Sequence, residues 1–341
     1  MKTLTISIAA YNVQNYIEKL LDSIISANRN EKIEVLVIND GSKDDTAIVA
    51  KKYVDKYPDT IRLIDKENGG HGSTINRGIE ESTAKYFKII DGDDWVEPEG
   101  LAGLVDYLEE ATEDMVLSDY REVYEQTETY KDMSVTMMGT REAMPKGKIV
   151  DFTRVADRLE RMQMHMITFR TEMLKSNHIR VDEHCFYVDT EYVFYTLPYI
   201  KTASYLERLV YCYRLGRPGQ SMTSESLRKH VVNHVKVNKG IIKAYSDNDQ
   251  DVSVAVRQQM NTMLHDVTLL TYRILLSMPC KKVYGDQISE IDKRLQTVSI
   301  ESYESLDEGW LRTYRKGNYN NYPVVWIKSK WKALVEHMSR K

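Results

Sequence analysis

Leu4, Ile6 and Ile8 alternate with small polar residues before Ala9-Ala10-Tyr11-Asn12 ends the run, a pattern that predicts a strand. From Tyr16 to Ile25 the period lengthens. Tyr16, Leu20 and Ile24, and Ile17, Leu21 and Ile25, recur every four residues as one face of a helix. Ile33 to Ile38 is almost wholly apolar, as a strand covered on both faces must be. The turn Asn39-Asp40-Gly41-Ser42 follows, with Ser42 placed to cap a helix whose first turn holds Asp44 and Asp45. Ile61 to Ile64 predicts a third strand, and Asn68-Gly69-Gly70-His71-Gly72-Ser73 a glycine-rich loop into a helix. Tyr86 to Ile90 predicts a fourth strand ending at Asp91-Gly92-Asp93-Asp94, and Pro98 marks the next helix start.

Strands alternating with helices of 10 to 15 residues predict an α/β fold with a mostly parallel, Rossmann-like sheet flanked by helices. Ligands of such sheets bind beyond the carboxyl ends of the strands. The polar turns Tyr11-Asn12, Asp40 and Asp91 to Asp94 fall there. Residues 115–150 read as strand and hairpin, 151–215 as mixed, and the chain from about 224 as mainly helical. The expected division is a domain over 1–220, with halves 1–110 and 111–220, and a helical C-terminal region over 221–341.

The 341 residues are 42% apolar and 29% charged, as in a folded protein. Asp and Glu outnumber Lys and Arg by 51 to 47, which argues against a basic nucleic-acid binder. The charge is uneven: residues 1–110 carry 13 basic against 21 acidic side chains. No apolar run nears the roughly 18 residues of a membrane span. Met1 to Ile8 enters a strand pattern without a signal peptide's apolar core, so the expected location is cytoplasmic. Cys185, Cys212 and Cys280, odd in number and far apart, predict reduced thiols.

Asp91-Gly92-Asp93-Asp94 carries the candidate chemistry. Carboxylates crowded at a strand end repel one another unless a cation binds. Oxygen ligands without Cys or His suit Mg²⁺ or Mn²⁺, held by one or two carboxylates and a substrate's phosphates. An isolated D-x-D is common by chance. Here three further segments accompany it. Thr5 to Ile25 (TISIAAYNVQNYIEKLLDSII), Val35 to Thr46 (VLVINDGSKDDT), Asn68 to Ile79 (NGGHGSTINRGI) and Ile89 to Pro98 (IIDGDDWVEP) together resemble, in order and spacing, the family 2 glycosyltransferases of GT-A fold.

The resemblance implies a metal-dependent inverting transfer of a sugar from a UDP-sugar to an acceptor hydroxyl. The acceptor would be a glycan or lipid-linked glycan, in synthesis of a bacterial cell-surface polysaccharide or glycoconjugate. It further implies that the turn around Ala9, Tyr11 and Asn12 meets the nucleotide, Tyr11 packing on the base and Asp40 accepting a base N–H. Asp91 and Gly92 would sit by the ribose and metal waters, Asp93 would be the direct ligand of Mn²⁺ or Mg²⁺, and Asp94 and Asn76 would line the donor sugar. Where the family often carries Pro and Arg, this chain has Ala9 and Ile75; His71 or Arg77 is the expected substitute cation. The family's Glu-Asp pair, which supplies the general base, aligns with Val188-Asp189, so Asp189 is the expected base and Glu191 its reserve. Asp189 as a mere helix cap is the alternative.

Tyr211 to Ser221 resembles the family's Tyr-Arg-x-Gly stretch, where Arg214 and Arg217 could clamp a diphosphate or a phosphate-bearing acceptor, or form surface salt bridges. His230 and His234 have zinc-ligand spacing but lack the Glu of H-E-x-x-H and read as ordinary helix residues. His165 and His184 lie near the expected base. Trp326 to Lys341 is aromatic and basic: it would rest on an anionic membrane, pack on the body, or form a dimer interface. A rival class, a non-catalytic scaffold for another transferase, draws only on Val188 and Ile75.

Overall fold

The structure is a computed structural model, and it describes residues 1–135, 144–159, 162–217, 220, 223–248 and 252–329. Among these residues ten strands form one sheet: β1 (Leu4–Ala10), β2 (Ile33–Asp40), β3 (Ile61–Lys66), β4 (Tyr86–Asp91), β5 (Trp95–Val96), β6 (Met115–Tyr124), β7 (Thr129–Met133), β8 (Val150–Asp151), β9 (Ile167–Arg170) and β10 (Thr202–Leu215). The order is β3-β2-β1-β4-β9-β6-β10-β5, with β7 on β6 and β8 on β10. The first four strands are parallel to one another, as their alternation with helices predicts. Register brings their carboxyl ends level, Ala10 opposite Asn39, Ala9 opposite Asp91 and Asp40 opposite Lys66. Tyr11, Asp40, Lys66 and Asp91 therefore share one rim. The antiparallel strand β9 joins this block to β6, and β6 runs parallel to β10.

Helices α1 (Ile17–Ile25), α2 (Thr46–Lys56), α3 (His71–Glu81) and α4 (Pro98–Glu110) follow the first strands, and α5 (Phe152–Val155), α6 (Thr171–Ser176) and α7 (Val188–Thr196) come later. All eight residues of β2 are buried, as two-sided cover requires. In α1, Ile17, Leu20, Leu21 and Ile24 are fully buried; each such side chain contributes about 1.5–3 kcal/mol of transfer free energy. Pro98 opens α4 where its missing N–H costs no hydrogen bond. The second helix departs from expectation. It starts at Thr46, and Ser42 is no cap: Ser42 Oγ accepts the Asn12 N–H at 3.0 Å, while Asp44 Oδ1 accepts the Thr46 N–H at 3.0 Å. The Asn12–Ser42 bond fastens the β1 turn to the β2 turn.

The chain forms two compact units, one of residues 1–220 and 251–257, the other of residues 221–250 and 258–341. Helices α8 (Ser224–Lys229), α9 (Val231–Asp247), α10 (Val254–Ser277), α11 (Lys282–Val298), α12 (Ile300–Ser305) and α13 (Gly309–Lys316) complete the chain with a helical stretch at 322–329. At the centre of the second unit the fully buried Asp292 carboxylate accepts from Tyr272 Oη at 3.1 Å, Arg315 Nε at 2.9 Å and Tyr319 Oη at 2.7 Å. A buried charge so saturated is a structural hub. Trp326 Nε1 donates to the Met278 carbonyl at 2.9 Å, which ties the start of the aromatic tail to the helices of this unit. Residues 330–341, with Trp331 and most of the basic tail, lie outside the described residues. No helix among the described residues is long and apolar enough to cross a membrane.

Candidate active site

The acidic turn leaves β4 at Asp91 and is held from two sides. Gly92 N donates to the Ala9 carbonyl at 3.0 Å, and a Cβ at Gly92 would stand 2.8 Å from that oxygen, so glycine alone fits. From the other side Tyr211 of β10 donates its Oη to Asp94 Oδ2 at 2.6 Å and accepts the Asp91 N–H at 3.1 Å. Asp94 Oδ1 accepts the Arg214 N–H at 2.7 Å, and Asp94 is 1% exposed. Expected beside the donor sugar, the carboxylate here faces inward and pins the turn to β10. Burial first, then the charges of Asp93 and Asp91, push its carboxyl well above the ordinary range.

Asp91 and Asp93 remain partly open. His71 Nε2 lies 3.1 Å from Asp91 Oδ1. Burial pushes the Asp91 carboxyl up, but His71 together with the charges of His165 and Arg217 outweighs it, so the net shift is downward. Burial pulls His71 down, but Asp91 together with the charges of Asp189 and Asp93 outweighs it, so the net shift is upward. Asp93 is raised by burial and then by Asp91, against the pull of Arg217. The guanidinium of Arg217 pairs with Asp93 Oδ2. Beneath the turn His165 packs against Tyr120, Tyr211 and Tyr213, with centroids 5.4, 4.8 and 4.3 Å away. Asp91, Asp94 and His165 present three potential ligand atoms within 4.8 Å of one another. Burial pushes His165 down to about 4, which leaves the ring neutral.

The glycine loop carries the second half of the site. Asp40 is 2% exposed; its Oδ1 accepts from Lys66 Nζ at 2.6 Å, Gly69 N at 2.8 Å and Ser73 Oγ at 3.2 Å, and its Oδ2 from Gly70 N at 2.8 Å. Rather than standing open to a base, its carboxylate holds the loop. The Gly69 carbonyl then accepts the His184 N–H at 2.5 Å. Asn76 is likewise committed, not free for a sugar: its Nδ2 donates to the Val181 carbonyl and its Oδ1 accepts the Val181 N–H, both at 2.9 Å. Segment 181–184 is therefore fastened to α3, and it leads into α7. His184 and Tyr187 both adopt the left-handed conformation, with φ of 52° and 67°. Such strain collects at functional sites.

Asp189 lies in the first turn of α7, partly exposed. The helix starts at Val188 with Tyr187 at its N-cap position, so Asp189 is not the cap residue. Burial raises the Asp189 carboxyl, the His71 charge opposes, and Asp91 adds to the rise. Glu191 differs from its expected reserve role: it is fully buried, and Oε2 accepts the Asp182 N–H at 2.8 Å.

The expected cations divide. His71 reaches the cluster, whereas Arg77 pairs with Glu81 at 2.6 Å on the outer face of α3. Ile75 is 1% exposed, so that position points into the core. Arg214, 5% exposed, donates Nε to the Asp93 carbonyl at 2.6 Å and pairs with Glu125. Tyr11 stands 48% exposed after β1, and Asn12 Oδ1 accepts the Lys43 N–H at 2.8 Å. Two participants escaped sequence reasoning. Tyr211 lay inside the Tyr-Cys-Tyr-Arg stretch without an assigned role. Lys88 interrupts an apolar strand; fully buried, its Nζ donates to the His165 and Ile167 carbonyls at 2.8 and 3.2 Å, and burial pushes it down to about 7. His230 and His234, on the second unit, join no group of potential ligands among the described residues.

The chain is similar to known proteins along most of its length. It is 28% identical over 212 residues to EpsH of Bacillus subtilis, covering 59% of each chain. It is 24% identical over 268 residues to the minor teichoic acid biosynthesis protein GgaB of the same organism, covering 75% of this chain and 28% of GgaB. The chain thus spans less than two thirds of either relative. Among solved structures, S. aureus TarS 1-349 in complex with UDP-GlcNAc superposes with a TM-score of 0.70 over 97% of this chain and 92% of TarS 1-349, at 20% identity, a likeness of fold. The model of glycosyl transferase family 2 matches residues 5–175, half of the chain and all four of the ordered motifs. The chain belongs to glycosyl transferase family 2.

Proposed function

We propose that this chain transfers a sugar from a UDP-sugar to an acceptor hydroxyl, with inversion at the anomeric carbon, in synthesis of a cell-surface polysaccharide or glycoconjugate. One observation carries the reading: at the carboxyl ends of the parallel strands Asp91 stands 3.1 Å from His71 and beside Asp93, and the charges of His71 and Asp91 reach Asp189 on the first turn of α7. The UDP-GlcNAc complex of TarS and the teichoic acid role of GgaB support the donor and the polymer class. Residues 1–220 would form the catalytic domain and 221–341 a helical accessory region.

In this reading Tyr11 offers its exposed ring to the nucleobase, and Asp40 acts on the nucleotide indirectly by shaping the glycine loop. Asp189 removes the proton from the acceptor hydroxyl, which attacks the anomeric carbon opposite the departing diphosphate. The residues present fit a divalent cation: Asp93 is raised partly by the Asp91 charge, and an Mg²⁺ or Mn²⁺ held by those two carboxylates would relieve the repulsion. Both oxygens of Asp94 already accept hydrogen bonds, which leaves it a supporting part. When bound, such a cation neutralises charge on the leaving group.

Calorimetric titration with UDP, with and without Mn²⁺, tests the donor site. Mn²⁺ is expected to strengthen UDP binding to the wild type and to lose most of that effect in Asp93→Ala. Silence toward UDP, GDP and CDP in every condition would overturn the reading and favour a scaffold.

A further inference from the structure

The carboxylate proposed to hold the cation is already occupied. Two arginines grip Asp93 by different handles, Arg214 by the main-chain carbonyl and Arg217 by carboxylate Oδ2. The Arg214 grip is built into the fold. Its side chain is 6% exposed, its N–H holds Asp94, and its guanidinium also meets Glu125. Arg217 is placed differently. It lies beyond the end of β10, after a turn at Gly216 with φ of +90°, and its side chain is 26% exposed. Among the described residues Asp93 is the acid it pairs with, and the ring of Tyr16 lies 5.6 Å from its guanidinium carbon.

A guanidinium and a divalent cation repel each other and compete for the same carboxylate oxygens. Arg217 therefore opposes cation binding for as long as it stays on Asp93. A diphosphate offers a planar guanidinium a two-oxygen acceptor and so a way to leave. We propose that Arg217 is a latch on Asp93, drawn off by the diphosphate of the donor, so that cation and nucleotide binding are coupled through this one side chain. The proposal rests on the reading of Asp91 and Asp93 as the cation site. Because coupling is reciprocal, the latch weakens binding of the cation alone and lets the nucleotide restore it. It would guard the open site against free metal in the absence of donor.

The test is titration of Mn²⁺ alone, followed by the electron paramagnetic resonance signal of the free ion, on wild type, Arg217→Gln and Lys19→Gln, then repeated with UDP. Lys19 is a neighbouring cation whose ammonium sits 3.2 Å over the Trp95 ring rather than on Asp93, so its variant reports the general field. Arg217→Gln is expected to bind Mn²⁺ alone about tenfold more tightly than wild type, within the usual range of site-to-site coupling. UDP should then raise its Mn²⁺ affinity by a smaller factor than in wild type. Lys19→Gln should stay near wild type. Mn²⁺ binding by Arg217→Gln no tighter than wild type would overturn the latch, as would an equal gain in Lys19→Gln. Absence of Mn²⁺ binding in wild type even with UDP present would instead remove the cation site on which the latch depends.

Discussion

Asp189→Asn is expected to lower the rate of sugar transfer by about 10²–10⁴-fold, the usual worth of a positioned general base. The variant should bind UDP and melt like the wild type. Asn keeps the size of the side chain and an acceptor oxygen, so α7 has no reason to move. What it loses is the ability to take a proton. The wild type should also lose rate on the acid side at a pH above the ordinary carboxylate value, because burial raises the Asp189 carboxyl and the base works only when ionised. Asp189→Asn should lack that limb. Glu191→Ala provides the contrast: Glu191 is buried and holds the Asp182 N–H, so its loss should appear as a lower melting temperature. Initial rates of UDP release from a panel of UDP-sugars decide the matter, and a near-wild-type rate in Asp189→Asn would sink the assignment.

The sequence gathers the rim of the site but not the direction of its side chains, and the reason is where the information lies. Parallel strands place their carboxyl ends on one rim, so turns such as Tyr11-Asn12, Asp40 and Asp91 to Asp94 can be gathered from local pattern alone. Direction cannot. Asp40, Asn76, Asp94 and Arg214 all sit within the motifs, yet each spends its polar groups on a partner far along the chain. Asn76 meets Val181 across 105 positions, and Asp94 meets Arg214 across 120. Whether a carboxylate faces the ligand or the scaffold depends on such tertiary partners, which no single-strand pattern carries. The same holds for His165. A lone histidine in a mixed stretch gives no hint that Lys88 fixes its carbonyl or that three tyrosine rings surround it.

Gly72→Ala is expected to destabilise the first unit by about 1–3 kcal/mol, against the ordinary sign for that change in a helix. Gly72 lies inside α3, where alanine normally gains about 1 kcal/mol over glycine. Here a Cβ would stand 1.9 Å from the Asp182 carbonyl oxygen and 3.2 Å from Val181 Cγ2. The obstacle is backbone, and it cannot drift away at little cost. Asn76 holds Val181 by two hydrogen bonds, and Glu191 holds the Asp182 N–H. Relieving the overlap therefore breaks bonds made by buried groups, each costing about 1–3 kcal/mol if left unmet, which exceeds the propensity gain. Gly103→Ala on α4 is the matched control, because the nearest atom to its Cβ is the Arg208 side chain at 3.3 Å, a flexible group able to give way. Calorimetric melting should place Gly72→Ala several degrees below wild type and Gly103→Ala at or above it. Segment 181–184 runs directly into α7, so Gly72→Ala should also slow transfer while UDP binding persists. A melting temperature for Gly72→Ala equal to or above wild type would show that the α3 contact yields freely, and that the proposed base, Asp189, is not held in place through it.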